Sequence, residues 1–213
     1  MEFERFDMTI PPVRTRWYLR PLTIIVSLPD VLKHRVKLTH TKEDKRFRRW
    51  VLSSLISNTY YHNFVTHLRE AWYQREVYKI IDAGGSVNAD VLNELFRKNL
   101  ELFWGDAVEI PEGAELTWMR QPHYYMGLYP YTYSAGLTVA TQAMLRIREE
   151  GEPAVKDWKA FLAAGGSKDP VNMAKTAGFD ISTDGPLNAT IDYIGSIIDE
   201  ICKLTEEIDG ISL

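Results

Sequence analysis

The feature that most limits the fold is a run of residues, 42–83, in which apolar side chains recur at helical spacing. These side chains belong to Phe47, Val51, Leu55, Tyr61, Val65, Leu68 and Trp72. The run begins near Thr41 and Asp44, which together resemble a capping box, and it ends at Gly84 and Gly85. A helix of this length would extend over roughly 60 Å, so shorter elements have to pack along it. We therefore predict one long helix, straight or bent, as the base of the domain.

Shorter helices are predicted after this one, because each run of helical spacing starts at a capping residue or a proline and stops near a glycine. Asn88 precedes the first of them, Ala89–Trp104, whose predicted inner face consists of Val91, Leu92, Leu95, Leu100 and Phe103. The others are predicted over residues 131–150, 152–163, 170–178 and 185–208. The sequence has no strand-like alternation of useful length. The predicted fold class is all-α, a multi-helix domain.

The start of the chain differs from the rest in charge and in proline content. Residues 1–50 contain 12 lysines and arginines against six acidic residues, whereas residues 51–213 contain 13 against 23. Prolines in the motifs PPV, RPL and LPD would break any helix there into pieces. We predict a divergent basic segment, 1–40, followed by a helical domain, 41–213. The acidic balance of the larger part argues against nucleic-acid binding, and the basic run 42–49 is interpreted as the solvated start of the long helix.

The sequence carries no signal for secretion or membrane insertion. Its N-terminus has acidic residues where a secretory signal needs basic and then apolar ones. The apolar run Leu22–Leu28 is far shorter than the roughly 20 residues that span a bilayer. The single cysteine, Cys202, excludes an intramolecular disulfide and is predicted to be a buried structural residue. We therefore expect a cytoplasmic protein with no membrane partner.

The histidines are the natural candidates for metal ligands in a helical protein. They are His34, His40, His62, His67 and His123. The sequence contains no HExxH motif, no CxxC motif and no glycine-rich phosphate loop. His67 and Glu70 are three residues apart on one face of the long helix, and we interpret the pair as surface or packing polar chemistry rather than a metal site. No complete metal site is predicted.

The densest group of chemically active side chains is RQPHYYMGLYPYTYSAG, residues 120–136, with one histidine, His123, and five of the chain's 11 tyrosines. An aromatic core is the simplest interpretation, because tyrosine packs well. Each buried hydroxyl, however, needs a partner or costs about 1–3 kcal/mol, and phenylalanine would pack without that cost. Phenols and a histidine can also donate hydrogen bonds to a developing oxyanion. On composition alone, a core and a binding site stay open as alternatives.

The arrangement of these tyrosines depends on the conformation near Pro130. A continuous helix would place Tyr125, Tyr129 and Tyr133 on one face, whereas an extended segment would align Tyr129, Tyr131 and Tyr133. Both alternatives bring phenols together.

Several blocks of the sequence carry a family resemblance. They are RRWVLSSLISNTYYHNFVTHLREAWYQREVYKIIDAGG from Arg48, FWGDAVEI from Phe103 and WMRQPHYYMGLYPYTYSAGL from Trp118, followed by EEGEPAV and LAAGGSKDP. In this order they resemble the C-terminal part of oligoendopeptidase F, a bacterial zinc metallopeptidase of the thimet-oligopeptidase-like family. The third block is the most specific, because the family has a histidine, an aromatic residue and a tyrosine there, then alternating tyrosines and a glycine. The resemblance extends over about residues 44–205.

This resemblance implies a mostly helical fold with a deep cleft, in which a zinc-bound water cleaves short peptides. His123 would face the zinc across the cleft, and Tyr133 is the better candidate for the donor to the oxyanion. The residues that would contact the substrate are Tyr125, Tyr129, Tyr131 and Arg120. Short peptides are therefore the expected ligands.

The sequence departs from the family at the metal. HExxH is missing, and residues 20–36 contain no glutamate where the family has a glutamate-bearing helix. Without those ligands no water is activated, so we predict no zinc in this chain and no peptide hydrolysis by it alone. We expect the chain to correspond to the C-terminal part of a peptidase, with residues 1–40 divergent or out of frame. The alternative is a non-catalytic helical module that binds peptides or self-associates through a surface that once faced the catalytic half.

Overall fold

The computed structural model describes residues 44–211, and every regular element in that range is a helix. The long helix is present as three continuous parts: α1 (Lys45–Leu55), a π-helical segment (Ile56–Thr66) and α2 (His67–Asp82). Asp44 caps its start, because its side chain accepts a hydrogen bond of 3.0 Å from the backbone N–H of Phe47. The predicted long helix is therefore confirmed over 45–82. The expectations for Thr41 and for the segment 1–40 lie outside the described residues.

The π-helical segment shifts the buried face of the long helix. Its hydrogen bonds close wider turns than those of an α-helix, and the hydroxyl of Thr66 also reaches back five residues to the carbonyl of Tyr61, at 3.0 Å. The wider turns bury Tyr60 and Phe64 instead of the predicted Tyr61 and Val65. Tyr61 is exposed and Val65 only half-buried, so the prediction from strict α spacing was wrong by one position here.

Five of the remaining helices have nearly the predicted bounds, and one short helix, Thr117–Arg120, was not predicted. They are α3 (Ala89–Trp104), α4 (Thr117–Arg120), α5 (Tyr131–Glu150), α6 (Glu152–Ala164), α7 (Pro170–Thr176) and α8 (Gly185–Asp209), with 3₁₀ turns at Ala114–Leu116 and Pro122–Tyr125. Asn88 caps α3 through a 3.0 Å bond from the backbone N–H of Val91. Gly105 and Gly151 end α3 and α5 with φ values of 50° and 70°, a region that side-chain-bearing residues avoid. The bounds were predictable because local caps set them.

The inner face of α3 is centred differently from the prediction. Phe96 and Asn99 are the buried residues of this helix, with 5% exposure each. Phe103, predicted to face inwards, is 43% exposed. Its ring instead receives the guanidinium of Arg69, 5.1 Å from the ring centroid, at the surface between α2 and α3. The last turn of α3 therefore extends beyond the core.

Two apolar clusters hold the helices together. The larger one forms where α1 and the π segment pack against α5 and α8, and α6 and α7 also contribute to it. Its fully buried side chains include Leu52, Leu55, Leu137, Met144 and Phe161. The smaller one consists of Tyr73 of α2, Phe96 of α3 and Tyr124 of the second 3₁₀ turn, with ring centroids 5.1 to 5.9 Å apart. The polar part of α2 lies between these clusters.

Ion pairs join the start of the long helix to the end of the chain. Three basic residues of α1 pair with acidic residues of α8: Lys45 with Glu207 at 3.0 Å, Arg49 with Asp209 at 2.5 Å, and Arg48 with Glu200. The basic run at 42–49 is therefore more than a solvated helix face. Its excess positive charge matches negative charge on the helix packed beside it.

Helix α8 is the longest α-helix described, with 25 residues. Neither it nor any other helix within residues 44–211 is long and apolar enough to cross a membrane. Cys202 lies on α8 and is half-buried, so its predicted full burial is not observed.

Candidate functional site

The candidate site lies where α2 faces the segment 121–133. Polar side chains at positions 67, 70 and 74 of α2 share one helical face, and all three are at least 95% buried: His67, Glu70 and Gln74. Prolines shape the opposite segment. Pro122 opens the 3₁₀ turn that carries His123, and Pro130 precedes the first residue of α5.

Four aromatic side chains meet there and are called the His/Tyr cluster: His67, His123, Tyr129 and Tyr133. The ring of Tyr133 stacks on that of His67 with centroids 4.1 Å apart. The ring of His123 lies parallel to that of Tyr129 at 5.1 Å. The hydroxyls of Tyr129 and Tyr133 are 3.2 Å apart and share a hydrogen bond. The cluster therefore places two phenols and two imidazoles in mutual contact.

The environment of the cluster keeps its phenol protonated and its second histidine neutral. Burial raises the pKa of Tyr133 to about 12, and the hydrogen bond from Tyr129 and the charge of Glu70 act in the same direction. Burial lowers the pKa of His123, which Glu70 partly offsets and His67 reinforces. At neutral pH, Tyr133 is a hydrogen-bond donor and His123 is uncharged. The Nδ1 atom of His123 is buried without a partner among the described residues.

Gln74 fixes the turn that carries His123. The two protons of its side-chain Nε2 are shared among three backbone carbonyls, those of His123 at 3.3 Å, Tyr124 at 3.1 Å and Gly127 at 2.5 Å. Gly127 has a φ of 66°, so the chain turns sharply at this residue. The buried amide thus ties both sides of the turn to α2.

Glu70 connects α2 to the same segment one turn earlier. One carboxylate oxygen is 2.7 Å from Nδ1 of His67, and the other accepts a 2.9 Å hydrogen bond from the side chain of Gln121. Because a carboxylate has two oxygens, Glu70 holds both partners at once. His67 and the start of the His123 turn are therefore fixed to one group.

The structure brings together three of the residues predicted from the sequence, His123, Tyr129 and Tyr133. The helical alternative predicts this contact between the two tyrosines, but the segment is not one continuous helix, since α5 begins only at Tyr131 and Tyr125 is exposed. The extended alternative would have aligned Tyr131 with them. Tyr131 is instead half-buried, and burial raises its pKa.

Two predicted residues lie apart from the His/Tyr cluster. Tyr125 is 67% exposed, and its hydroxyl donates to the backbone carbonyl of Trp118 at 3.2 Å. Arg120 is exposed at the end of α4. The substrate contacts predicted for these two residues stay predictions.

The sequence reasoning missed the part of the site that α2 supplies. The spacing of His67 and Glu70 was recognised, but the pair was interpreted as packing chemistry, and Gln74 was not singled out. The available signal was three polar residues on a helical face that has to be buried by its neighbours. Their meaning depends on which segment covers that face, and a helical pattern alone does not specify it.

The described residues do not fit the zinc site that the family resemblance implies. Within 44–211, no group of three or more His, Cys, Asp or Glu side chains could hold a metal ion. The nearest approach to one, His67 with Glu70, is a hydrogen-bonded pair in which Nδ1 of the histidine is already engaged. The sequence also lacks HExxH. The described residues therefore give zinc no role in the chemistry of this site.

Comparison with known proteins gives a family match over most of the chain. The sequence profile of peptidase family M3 matches residues 28–193. The match begins upstream of residue 44, where the resemblance was expected to start, and ends before residue 205. The resemblance therefore starts further upstream than the expected residue 44.

Characterised relatives are similar at low identity and are much longer. Oligopeptidase PepF of Bacillus subtilis is 25% identical over 171 residues, which are 80% of this chain and 25% of the relative. An oligoendopeptidase F homolog of Borreliella burgdorferi is 25% identical over 166 residues, 78% of this chain and 27% of the relative. The chain therefore spans about a quarter of the length of these relatives.

A solved structure has the same fold. The crystal structure of oligoendopeptidase-F from Enterococcus faecium superposes with a TM-score of 0.80 at 22% identity. The superposition covers 86% of this chain and 35% of the other. The all-α prediction is confirmed by this likeness and by the helices of residues 44–211.

Proposed function

The chain belongs to peptidase family M3, and from that premise we propose that its His/Tyr cluster binds the main chain of short peptides but does not hydrolyse them by itself. The names of the relatives, oligopeptidase and oligoendopeptidase, describe enzymes that act on short peptides. The corresponding ligand for this chain is a peptide of a few residues. The relatives are about four times longer than this chain, so we infer for it their class of ligand but not their hydrolytic activity.

The observation that carries the proposal is the pair of hydroxyls of Tyr129 and Tyr133, 3.2 Å apart. Two hydroxyls have two protons, and the bond between them uses only one. The second proton is available to a carbonyl oxygen of a bound peptide. Because the pKa of Tyr133 is raised to about 12, its hydroxyl stays protonated at neutral pH and remains a hydrogen-bond donor.

The lack of hydrolysis follows from the residues that the chain contains. The sequence has no HExxH, and residues 44–211 provide no set of three metal ligands. In a zinc peptidase the metal lowers the pKa of a bound water and so supplies the nucleophile. The phenols of this chain can stabilise a negative oxygen, but they do not generate the attacking water.

Fluorescence polarisation with fluorescein-labelled penta-alanine tests the proposal. We expect saturable binding that weakens about fivefold in Tyr133→Phe, since one hydrogen bond contributes on the order of 1 kcal/mol. His123→Ala should weaken binding as well. Tyr78→Phe is the matched control, because Tyr78 lies near the other end of α2 from His67 and the substitution removes the same group, a phenol hydroxyl. Equal binding by all variants, or no binding by the wild type, would contradict the proposal.

Self-association is the second candidate function, and exposed apolar side chains near the end of α3 favour it. Leu102 and Met119 are 66% and 61% exposed, and Phe103 is 43% exposed. Patches of this kind promote contacts between protein molecules. Light scattering on the purified chain, compared with Leu102→Ser, distinguishes the two functions. A monomer that binds peptide would exclude self-association as the main role.

A further inference from the structure

The His/Tyr cluster contains a second histidine that the family resemblance does not assign. His67 is 4% exposed and stacks on Tyr133, while its ring centroid is 6.0 Å from that of His123. It therefore lies among the groups that we propose to bind a peptide. Its chemistry depends on which ring nitrogen carries the proton.

Glu70 sets that protonation pattern. The carboxylate oxygen 2.7 Å from Nδ1 of His67 is an acceptor, so the hydrogen belongs on Nδ1. The other oxygen is occupied by the amide of Gln121, which keeps the carboxylate from rotating away. In this tautomer the second nitrogen, Nε2, carries a lone pair. His67 thus becomes an acceptor beside phenols that are donors.

The Nε2 atom of His67 is free to receive a ligand. The fully buried side-chain polar atoms without a partner belong to Arg69, Gln74, His123 and Tyr124, and His67 is not among them. The hydrogen bond of its ring within residues 44–211 is the one that Nδ1 forms with Glu70. Nε2 therefore keeps some contact with solvent while the rest of the ring is enclosed.

We infer that His67 is a further peptide-binding residue, whose Nε2 accepts a hydrogen bond from a main-chain N–H, and that Glu70 is its positioning residue. A peptide bond offers a carbonyl oxygen and an N–H group. The phenols recognise the first and His67 recognises the second. The ligand class is thus narrowed to peptides with a secondary amide at this point, which excludes proline or an N-methylated residue there. This inference rests on the proposed function.

An N-methyl scan of labelled penta-alanine, measured by fluorescence polarisation, tests the role of His67. One methylated position should weaken binding to the wild type at least tenfold. In His67→Phe, which keeps an aromatic ring against Tyr133 but has no acceptor, the parent and that methylated peptide should bind equally weakly. Tyr78→Phe is the control, since Tyr78 lies towards the other end of α2 from His67.

The outcomes separate the inference from the function on which it rests. If the wild type binds no peptide, the proposed function fails and the binding role of His67 fails with it. If the wild type binds but no N-methyl position matters, or the same position matters equally in His67→Phe, only the inference fails.

Nitrogen-15 NMR of the His67 ring tests Glu70 independently of binding. The wild type should show the proton on Nδ1, and Glu70→Gln should shift the ring towards a mixture of tautomers, because the amide has one acceptor oxygen for two donors. His123→Ala should leave the tautomer unchanged. A wild-type proton on Nε2, or a tautomer that ignores Glu70→Gln, would overturn the assignment of Glu70 as the positioning residue.

Discussion

The two halves of the long helix bury different kinds of side chain. The first half, residues 45–66, places mainly apolar groups such as Leu52 and Leu55 in the large core, and the buried hydroxyl of Tyr60 is paired with Thr141 at 2.9 Å. The second half, residues 67–82, buries three polar residues that bond to each other or to the segment 121–133. Burying polar groups costs stability unless they are paired, so a face of this kind is retained for positioning rather than for packing. The first half holds the fold and the second half holds the site.

The largest effect is expected in the first half. Leu55→Ala should lower the free energy of unfolding by about 2–5 kcal/mol, because it leaves a cavity in the core. Urea unfolding followed by circular dichroism measures this change. Leu102→Ala, at a 66% exposed position, should stay within about 0.5 kcal/mol of the wild type. A loss that is equal for both would mean that the large cluster does not carry the fold.

Removing the amide of Gln74 tests the second half. Gln74→Met should lower the free energy of unfolding by about 1–3 kcal/mol, because three backbone carbonyls lose their common donor. It should also weaken peptide binding by more than Gln142→Met, which removes a single hydrogen bond to Thr190. Equal effects of the two substitutions on binding would show that the His123 turn does not need its anchor.

The pH dependence of stability is expected to come from the second half. Folding lowers the pKa of His123 from the ordinary histidine value of about 6.5. At a pH just below that value the unfolded chain therefore binds more protons than the folded protein does. The free energy of unfolding should therefore carry no penalty from His123 above that pH, and it should decrease as the pH is lowered below it. Because Glu70 and His67 face the same ring, the contribution of His123 is measured as the difference between the wild type and a variant that lacks this histidine. Urea midpoints of His123→Asn should fall less steeply with acidification than those of the wild type, and parallel curves would contradict this.

The smallest effect is expected at the ion pairs between α1 and α8. Arg49→Ala should cost no more than about 1 kcal/mol, since exposed pairs such as Arg49 with Asp209 gain little in water. A double-mutant cycle with Asp209→Ala gives the coupling between the two side chains. Added salt should reduce that coupling. A coupling well above 1 kcal/mol would mean that charge pairing supports the fold as strongly as the core does.

The helical fold was predictable from the sequence where local chemistry sets it. Asn88 and Gly105 mark the ends of α3 because a capping side chain and a positive φ act within one turn. The π-helical segment was not predictable in this way. Its wider turns bury Tyr60 in place of Tyr61, and the segment packs against α5, a contact that the local spacing of residues does not reveal.

The site was predictable on one side only. The helical alternative pairs Tyr129 with Tyr133, as observed, but its continuous helix is wrong, because α5 begins at Tyr131 and Tyr125 lies apart from the other two. The contribution of α2 was not recognised, since the pair of His67 and Glu70 has the same spacing whether it faces solvent or a binding segment. Contacts between distant parts of the chain decide that question. The roles of these residues towards a ligand stay predictions.

The central claim, a peptide site without its own catalytic metal, is tested most directly by a quenched fluorescent oligopeptide incubated with the purified chain. Zinc and a chelator are added in separate arms, and polarisation of the same labelled peptide reports binding. The account predicts a bound peptide that is not cleaved in any arm. Cleavage that requires zinc and stops with the chelator would contradict it. Such cleavage would mean that the chain binds zinc although residues 44–211 show no group of three metal ligands.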